Sequence, residues 1–136
     1  MARGRRSARR HAVFVLYQQD LLGLSVEDAL VRAGDSRGDE YTAQLVHGVG
    51  KHRGQIDEIL GKHVEGWSLQ RLGVLERAIL RLAAYELLWE PGVPSAVVLD
   101  EAVGAAKRLC SDEAGSLVNG VLGAVAGSVR VEEAGV

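Results

Sequence analysis

The stretch from Glu76 to Trp89, Glu-Arg-Ala-Ile-Leu-Arg-Leu-Ala-Ala-Tyr-Glu-Leu-Leu-Trp, is the strongest constraint on what this chain can fold into. At about 100° per residue, Leu75, Ile79, Leu82 and Glu86 fall on one side, Leu80, Ala83 and Leu87 on a flank, and Arg77 and Arg81 opposite. Only a narrow polar strip remains. A helix apolar over most of its circumference needs neighbours on several sides, so it is expected at the centre of a bundle with the other amphipathic segments wrapped around it. Glu86 shares the face of Leu75, Ile79 and Leu82. A buried carboxylate requires a partner, and the expectation is a structural ion pair or helix-end contact, with a functional acid as the alternative.

The rest of the sequence supports an all-α fold, a compact bundle of about six to seven helices in a single domain. There are two prolines and few aromatic residues, and Ala, Leu and Val recur at helical spacing. The formal net charge of −2 conceals an asymmetry. Arg3, Arg5, Arg6, Arg9 and Arg10 lie within the first ten residues, leaving 11 basic against 18 acidic side chains in the remainder. A basic arm on an acidic body points to a local site for nucleic acid or another anionic partner. The single cysteine, Cys110, excludes an intrachain disulfide and fits a reducing cytoplasm. No apolar run suits a membrane span, and no hydrophobic signal-peptide core follows the arginines.

Along the chain, Ser7 is read as the cap of a first helix running to about Leu22 and stopping at Gly23. Arginines at a helix start oppose the helix dipole, so helix stability does not explain them. Arg6, Arg10, Val13 and Tyr17 share a side, which sets an aromatic ring near the basic patch; Tyr17 also reads as core. Ser25 and Asp28 open a short helix to about Ala33, a loop covers Gly34 to Gly38, and a longer helix starts near Asp39 or Glu40. Gly48, Gly50 and Gly54 within it suggest close packing of neighbouring backbones. Gly66, Trp67 and Ser68 form a corner, a short turn spans Leu69 to Leu72, and Gly73 precedes the central helix. Pro91 and Pro94 end that helix. The next runs from about Ser95 to Leu109, burying Leu99, Ala102, Val103 and Ala106 and turning Asp100, Lys107 and Arg108 outward. Ser111 or Asp112 caps a final helix with Leu117, Val118, Val121, Leu122 and Val125 inside and Asn119, Gly123 and Gly127 off that face. The tail is expected to fray from about Arg130.

No phosphate-binding or dinucleotide glycine pattern, metal-ligand spacing or nucleophile elbow is present, so no catalytic residue, cofactor or metal is expected. The arginine arm instead favours nucleic acid, and single-stranded RNA best, because exposed bases stack on Tyr or Arg.

Several stretches together resemble the NusB family of bacterial transcription antitermination factors from about Arg5 to Gly127. They are Arg5-Arg6-Ser7-Ala8-Arg9 leading to Leu16-Tyr17, Leu45-Val46-His47-Gly48-Val49 with Ile56-Asp57, and Trp67-Ser68-Leu69-Gln70-Arg71-Leu72. Glu76-Arg77-Ala78-Ile79-Leu80-Arg81, Ala84-Tyr85-Glu86-Leu87, Val93-Pro94, Asp100-Glu101-Ala102-Val103, Ala106-Lys107 and Val118-Asn119-Gly120-Val121-Leu122 follow in order. The resemblance implies a non-enzymatic protein that binds the boxA element of nascent RNA jointly with NusE, a small-subunit ribosomal protein. That pair enters an antitermination complex on RNA polymerase, notably in ribosomal RNA transcription. By position, Arg5, Arg6 and Arg9 match the family's RNA-binding motif and Tyr17 the aromatic near it, with Arg10 an extra basic residue and Asn119 a candidate contact from the last helix. These arginines precede or begin the first helix and are expected to matter little to the core. Gly123 departs from the family's frequent Asp. The chain is also similar to the amino-terminal part of a ribosomal RNA cytosine methyltransferase, against which stands the lack of a catalytic domain after Val136; a helical protein-interaction module is the third reading. Either a monomer or a homodimer is compatible, and a dimer would cover the arm.

Overall fold

The computed structural model describes residues 4–34, 40–64 and 68–130. Its elements are α1 (Arg5–Leu22), α2 (Val26–Ala33), α3 (Glu40–His63), a 3-10 turn (Leu69–Arg71), α4 (Val74–Trp89), α5 (Ser95–Leu109) and α6 (Asp112–Val129), with no strand among the described residues. As its periodicity demands, α4 is central: it packs against α1, α3, α5 and α6, and every residue from Ala78 to Leu87 is buried. The expected loop beyond Gly34, the corner at Gly66 and Trp67, and the tail beyond Arg130 lie outside the described residues.

Local signals set most helix ends. Gly23, at φ 65°, closes α1 in the left-handed conformation that glycine adopts without a Cβ penalty. The hydroxyls of Ser25 and Ser111 accept the backbone N–H groups of Asp28 and Ala114, each at 3.0 Å. Ser7 does not cap α1. The helix already begins at Arg5, with extended Gly4 as its N-cap and the Gly4 carbonyl accepting from Ala8 N–H at 3.1 Å, which leaves Ser7 exposed in the first turn.

Two of the four glycines in α3, Gly48 and Gly50, mark close approach. A Cβ on Gly48 would run into the Tyr85 ring of α4, and one on Gly50 would come within 2.7 Å of Val26 in α2. Gly54 faces open space, so close packing does not account for it. In α5 the innermost residues are Val98, Ala102, Ala105 and Ala106, with Leu99 and Val103 half-buried against the core.

The arginines of α4 form no solvent-facing strip. Arg81 is only 7% exposed; its Nε and Nη2 donate to the two Asp57 carboxylate oxygens at 2.8 and 3.0 Å, and its Nη1 to Asp20 at 3.1 Å. Arg77 donates to Asp20 at 3.1 Å and to the carbonyls of Gln70 and Leu72, while Arg53 reaches Asp20 at 3.4 Å. Burial works to raise the Asp20 pKa, but the hydrogen bond from Arg77 and the charges of Arg81, Arg77 and Arg53 outweigh it and hold the carboxyl below its usual range. This network ties the end of α1 to α3 and α4.

At the other end of α4, Arg130 adds a guanidinium donor to carbonyls of the helix terminus and the turn after it, two of which, Glu86 and Glu90, also accept backbone N–H groups. Its guanidinium donates to the backbone oxygens of Glu86 (3.0 Å), Leu87 (3.0 Å), Glu90 (3.1 Å) and Val93 (2.6 Å). The position expected to begin a frayed tail is therefore anchored.

Candidate nucleic-acid interface

The arginines of α1 divide between inside and outside because their spacing on the helix divides them. Arg9 shares a stripe with Ala12, Val13 and Leu16, all buried, and is itself 7% exposed. Its Nε donates to both carboxylate oxygens of Glu86 at 2.9 Å. Glu86 is 1% exposed, so the carboxylate on the apolar face of α4 has the structural ion pair its position requires. Burial works to lower the Arg9 pKa, but the hydrogen bond and charge of Glu86 outweigh it and the group is held above its usual value. Arg9 is thus part of the core, contrary to the expectation that the arm matters little to it.

Tyr41, in the first turn of α3, completes this cluster. Its hydroxyl donates to Glu86 Oε2 at 3.0 Å, and its ring lies under the Arg5 guanidinium, 4.7 Å from centroid to Cζ. Burial, then the charge and hydrogen bond of Glu86, push its pKa up to about 12. Next to it, Thr42 Oγ1 donates to the Ala8 carbonyl at 3.2 Å, so the start of α3 holds the start of α1.

Three arginines face outward. Arg5 is exposed on the Tyr41 ring; Arg6 is exposed but pairs with Glu101 of α5 at 2.8 Å; Arg10 is exposed and makes no ion pair among the described residues. Such an array of guanidinium groups offers planar, multi-donor contacts to phosphate. Tyr17 is half-buried against the core, and Asn119 is exposed on α6, which packs on α3, α4 and α5. The structure therefore sets Arg5 on the α3 side of buried Arg9 and Arg6 on the α5 side, with exposed Arg10 one turn on from Arg6, and does not group Asn119 with them. Tyr41 was missed by sequence reasoning because no local pattern links it to α1. Glu101 sat in a motif already noted, Asp100-Glu101-Ala102-Val103, but nothing local to that motif points to Arg6 on another helix. Among the described residues no cluster of His, Cys, Asp or Glu is placed to hold a metal ion.

Fold and surface together define a small all-helical protein with an arginine-bearing face at the start of its first helix. The NusB family model matches residues 6–127, and the chain belongs to the NusB family. It is 47% identical over 131 residues to the transcription antitermination protein NusB of Saccharopolyspora erythraea, covering 90% of this chain and 86% of that one. Among solved structures, T. maritima NusB superposes with a TM-score of 0.90 at 32% identity over 100% of both chains. A structure of the antitermination factors NusB and NusE in complex with dsRNA matches with a TM-score of 0.82 at 32% identity, over 91% of this chain and 96% of that one.

Proposed function

We propose that this protein is a transcription antitermination factor that binds boxA-type RNA as a single strand, jointly with the ribosomal protein NusE, within an antitermination complex on RNA polymerase that serves ribosomal RNA transcription in particular. The observation that carries this reading is the likeness to the NusB of a solved NusB–NusE–dsRNA complex. The exposed guanidinium groups of Arg5, Arg6 and Arg10 support it from the physical side. A single strand is favoured over a duplex because its unstacked bases can lie on guanidinium planes, which a paired helix does not offer. Arg9 serves the site indirectly by seating α1 on α4, Tyr17 is the flanking contact on α1, and Asn119 is a separate contact from α6. The role is binding without catalysis, in the cytoplasm; no helix of the described residues is long and apolar enough to cross a membrane.

Fluorescence anisotropy with a labelled boxA-type single strand, a scrambled strand and an RNA duplex, each with and without NusE, tests the proposal. The boxA-type strand should bind most tightly, NusE should tighten it further, and Arg5→Ala with Arg6→Ala should weaken it and flatten its salt dependence. Wild-type affinity and salt slope in that folded double variant would remove the arm from the RNA site.

A further inference from the structure

Between α1, α4 and α5 runs a groove whose interior is apolar, formed by the buried side chains of Val13, Ile79, Leu82, Val98, Ala102 and Ala105. Its polar lining is unevenly charged. Arg9 and Glu86 also border it and neutralise each other, and Glu101 borders it with its charge engaged by Arg6. Two further lining residues, Arg10 of α1 and Arg108 of α5, are exposed and make no ion pair among the described residues. Three guanidinium groups and two carboxylates line the groove, and because Glu86 is paired with Arg9 and Glu101 with Arg6 from outside it, the charges of Arg10 and Arg108 are left unmatched. Arg108 does not extend off the end of its helix. Its Nη1 lies back over Gly104, where an added Cβ would come within 3.1 Å, which keeps the charge beside Ala105 at the groove.

We propose that Arg10 and Arg108 together form a phosphate-binding site for the RNA strand, so that the strand's path leaves the start of α1 and crosses the groove onto α5. This rests on the RNA-binding reading above and extends it to a residue outside the arginine arm. The occupant follows from charge and size. The groove encloses ≈ 30 Å³, room for a water or two and far too little for a base. It therefore takes backbone running across its mouth, with a phosphate on the two guanidinium groups at the rim. Contacts to phosphate position a strand without reading its sequence. The contribution of Arg108 is accordingly the same for any RNA that follows this path. A basic residue in the last turn of α5 also suits the helix dipole, but that role acts on stability and leaves RNA affinity alone.

The test is a salt titration of Arg108→Ala, Arg108→Lys and, as a control on α2, Arg32→Ala, against labelled boxA-type and scrambled single strands. Loss of one phosphate contact lowers the slope of log affinity against log salt by about 0.7, which at 0.1 M salt is about a five-fold loss of affinity. Arg108→Ala should show that loss equally on both strands, Arg108→Lys should restore the slope, and Arg32→Ala should match wild type. Wild-type slope and affinity in Arg108→Ala, while Arg5→Ala still weakens binding, would overturn the groove site and leave the RNA reading standing. Loss on the boxA-type strand alone would mean base reading and would also overturn it. If no arginine variant changes binding, both inferences fall together.

Discussion

Replacing either member of the Arg9–Glu86 pair should destabilise the protein more than any other single change in the arginine arm. Glu86→Ala leaves a guanidinium 7% exposed with no counter-charge and deprives the Tyr41 hydroxyl of its acceptor. Breaking one partner of a buried pair costs about 3–5 kcal/mol. An orphaned buried hydroxyl adds to that by an amount of order 1 kcal/mol. With a urea m-value of about 2 kcal/mol/M, the unfolding midpoint should fall by about 2 M for Glu86→Ala and nearly as far for Arg9→Ala. The double variant Arg9→Met/Glu86→Leu should recover most of the loss, because two apolar side chains of similar volume leave no unpaired charge. Urea unfolding followed by circular dichroism gives all of these values. A midpoint within about 0.3 M of wild type for Arg9→Ala, given that m-value, would refute the reasoning and put the guanidinium back in solvent.

Three other perturbations have opposite or separable signs. Gly48→Ala should destabilise by roughly 1–3 kcal/mol because its Cβ meets the Tyr85 ring, whereas Gly54→Ala, with open space around it, should stabilise by up to about 1 kcal/mol; paired thermal melts decide both. Asp20 has a depressed folded pKa, so its contribution is fully present above the unfolded value of about 3.9 and is lost as pH falls through the lower folded value; Asp20→Asn should flatten the loss of stability in that acid range, measured as urea midpoint against pH. Glu101→Gln removes the carboxylate that occupies Arg6 and should raise RNA affinity several-fold with little change in melting temperature, since the pair is largely exposed on the Arg6 side.

What was legible in the sequence was what periodicity carries. The circumference of α4 announced a central helix, and the position of Glu86 on its apolar side announced a buried, paired carboxylate. The partner was not announced, because Arg9 lies 77 residues away and a helical pattern ranks faces without matching them. Arg9 itself was misread for a different reason. Treated as part of a basic run, it looked like surface; treated by its spacing to Ala12, Val13 and Leu16, it belongs to the core stripe. Arg81 reads from periodicity as part of a polar strip but is buried, because the carboxylates of Asp20 and Asp57 that allow it come from two other helices. The anchoring of Arg130 had no sequence signal, since its acceptors are almost all backbone carbonyls.

Glu86 receives both ends of the described chain: Arg9 on its carboxylate, from 77 residues upstream, and Arg130 on its carbonyl, from 44 residues downstream. On the ribosome these two attachments are separated in time. Arg9 is already waiting when Glu86 emerges, so the side chain can be neutralised while α5 and α6 are still unmade. The carbonyls of Glu86, Leu87 and Glu90 stay without their guanidinium donor until Arg130 appears, and the bend at Pro91–Val93 is held until then by its own Val93 to Glu90 backbone hydrogen bond. A chain lacking Arg130 would keep the Arg9–Glu86 pair but lose the side-chain clasp over this bend, and should be cut at the bend sooner than the full chain in limited proteolysis.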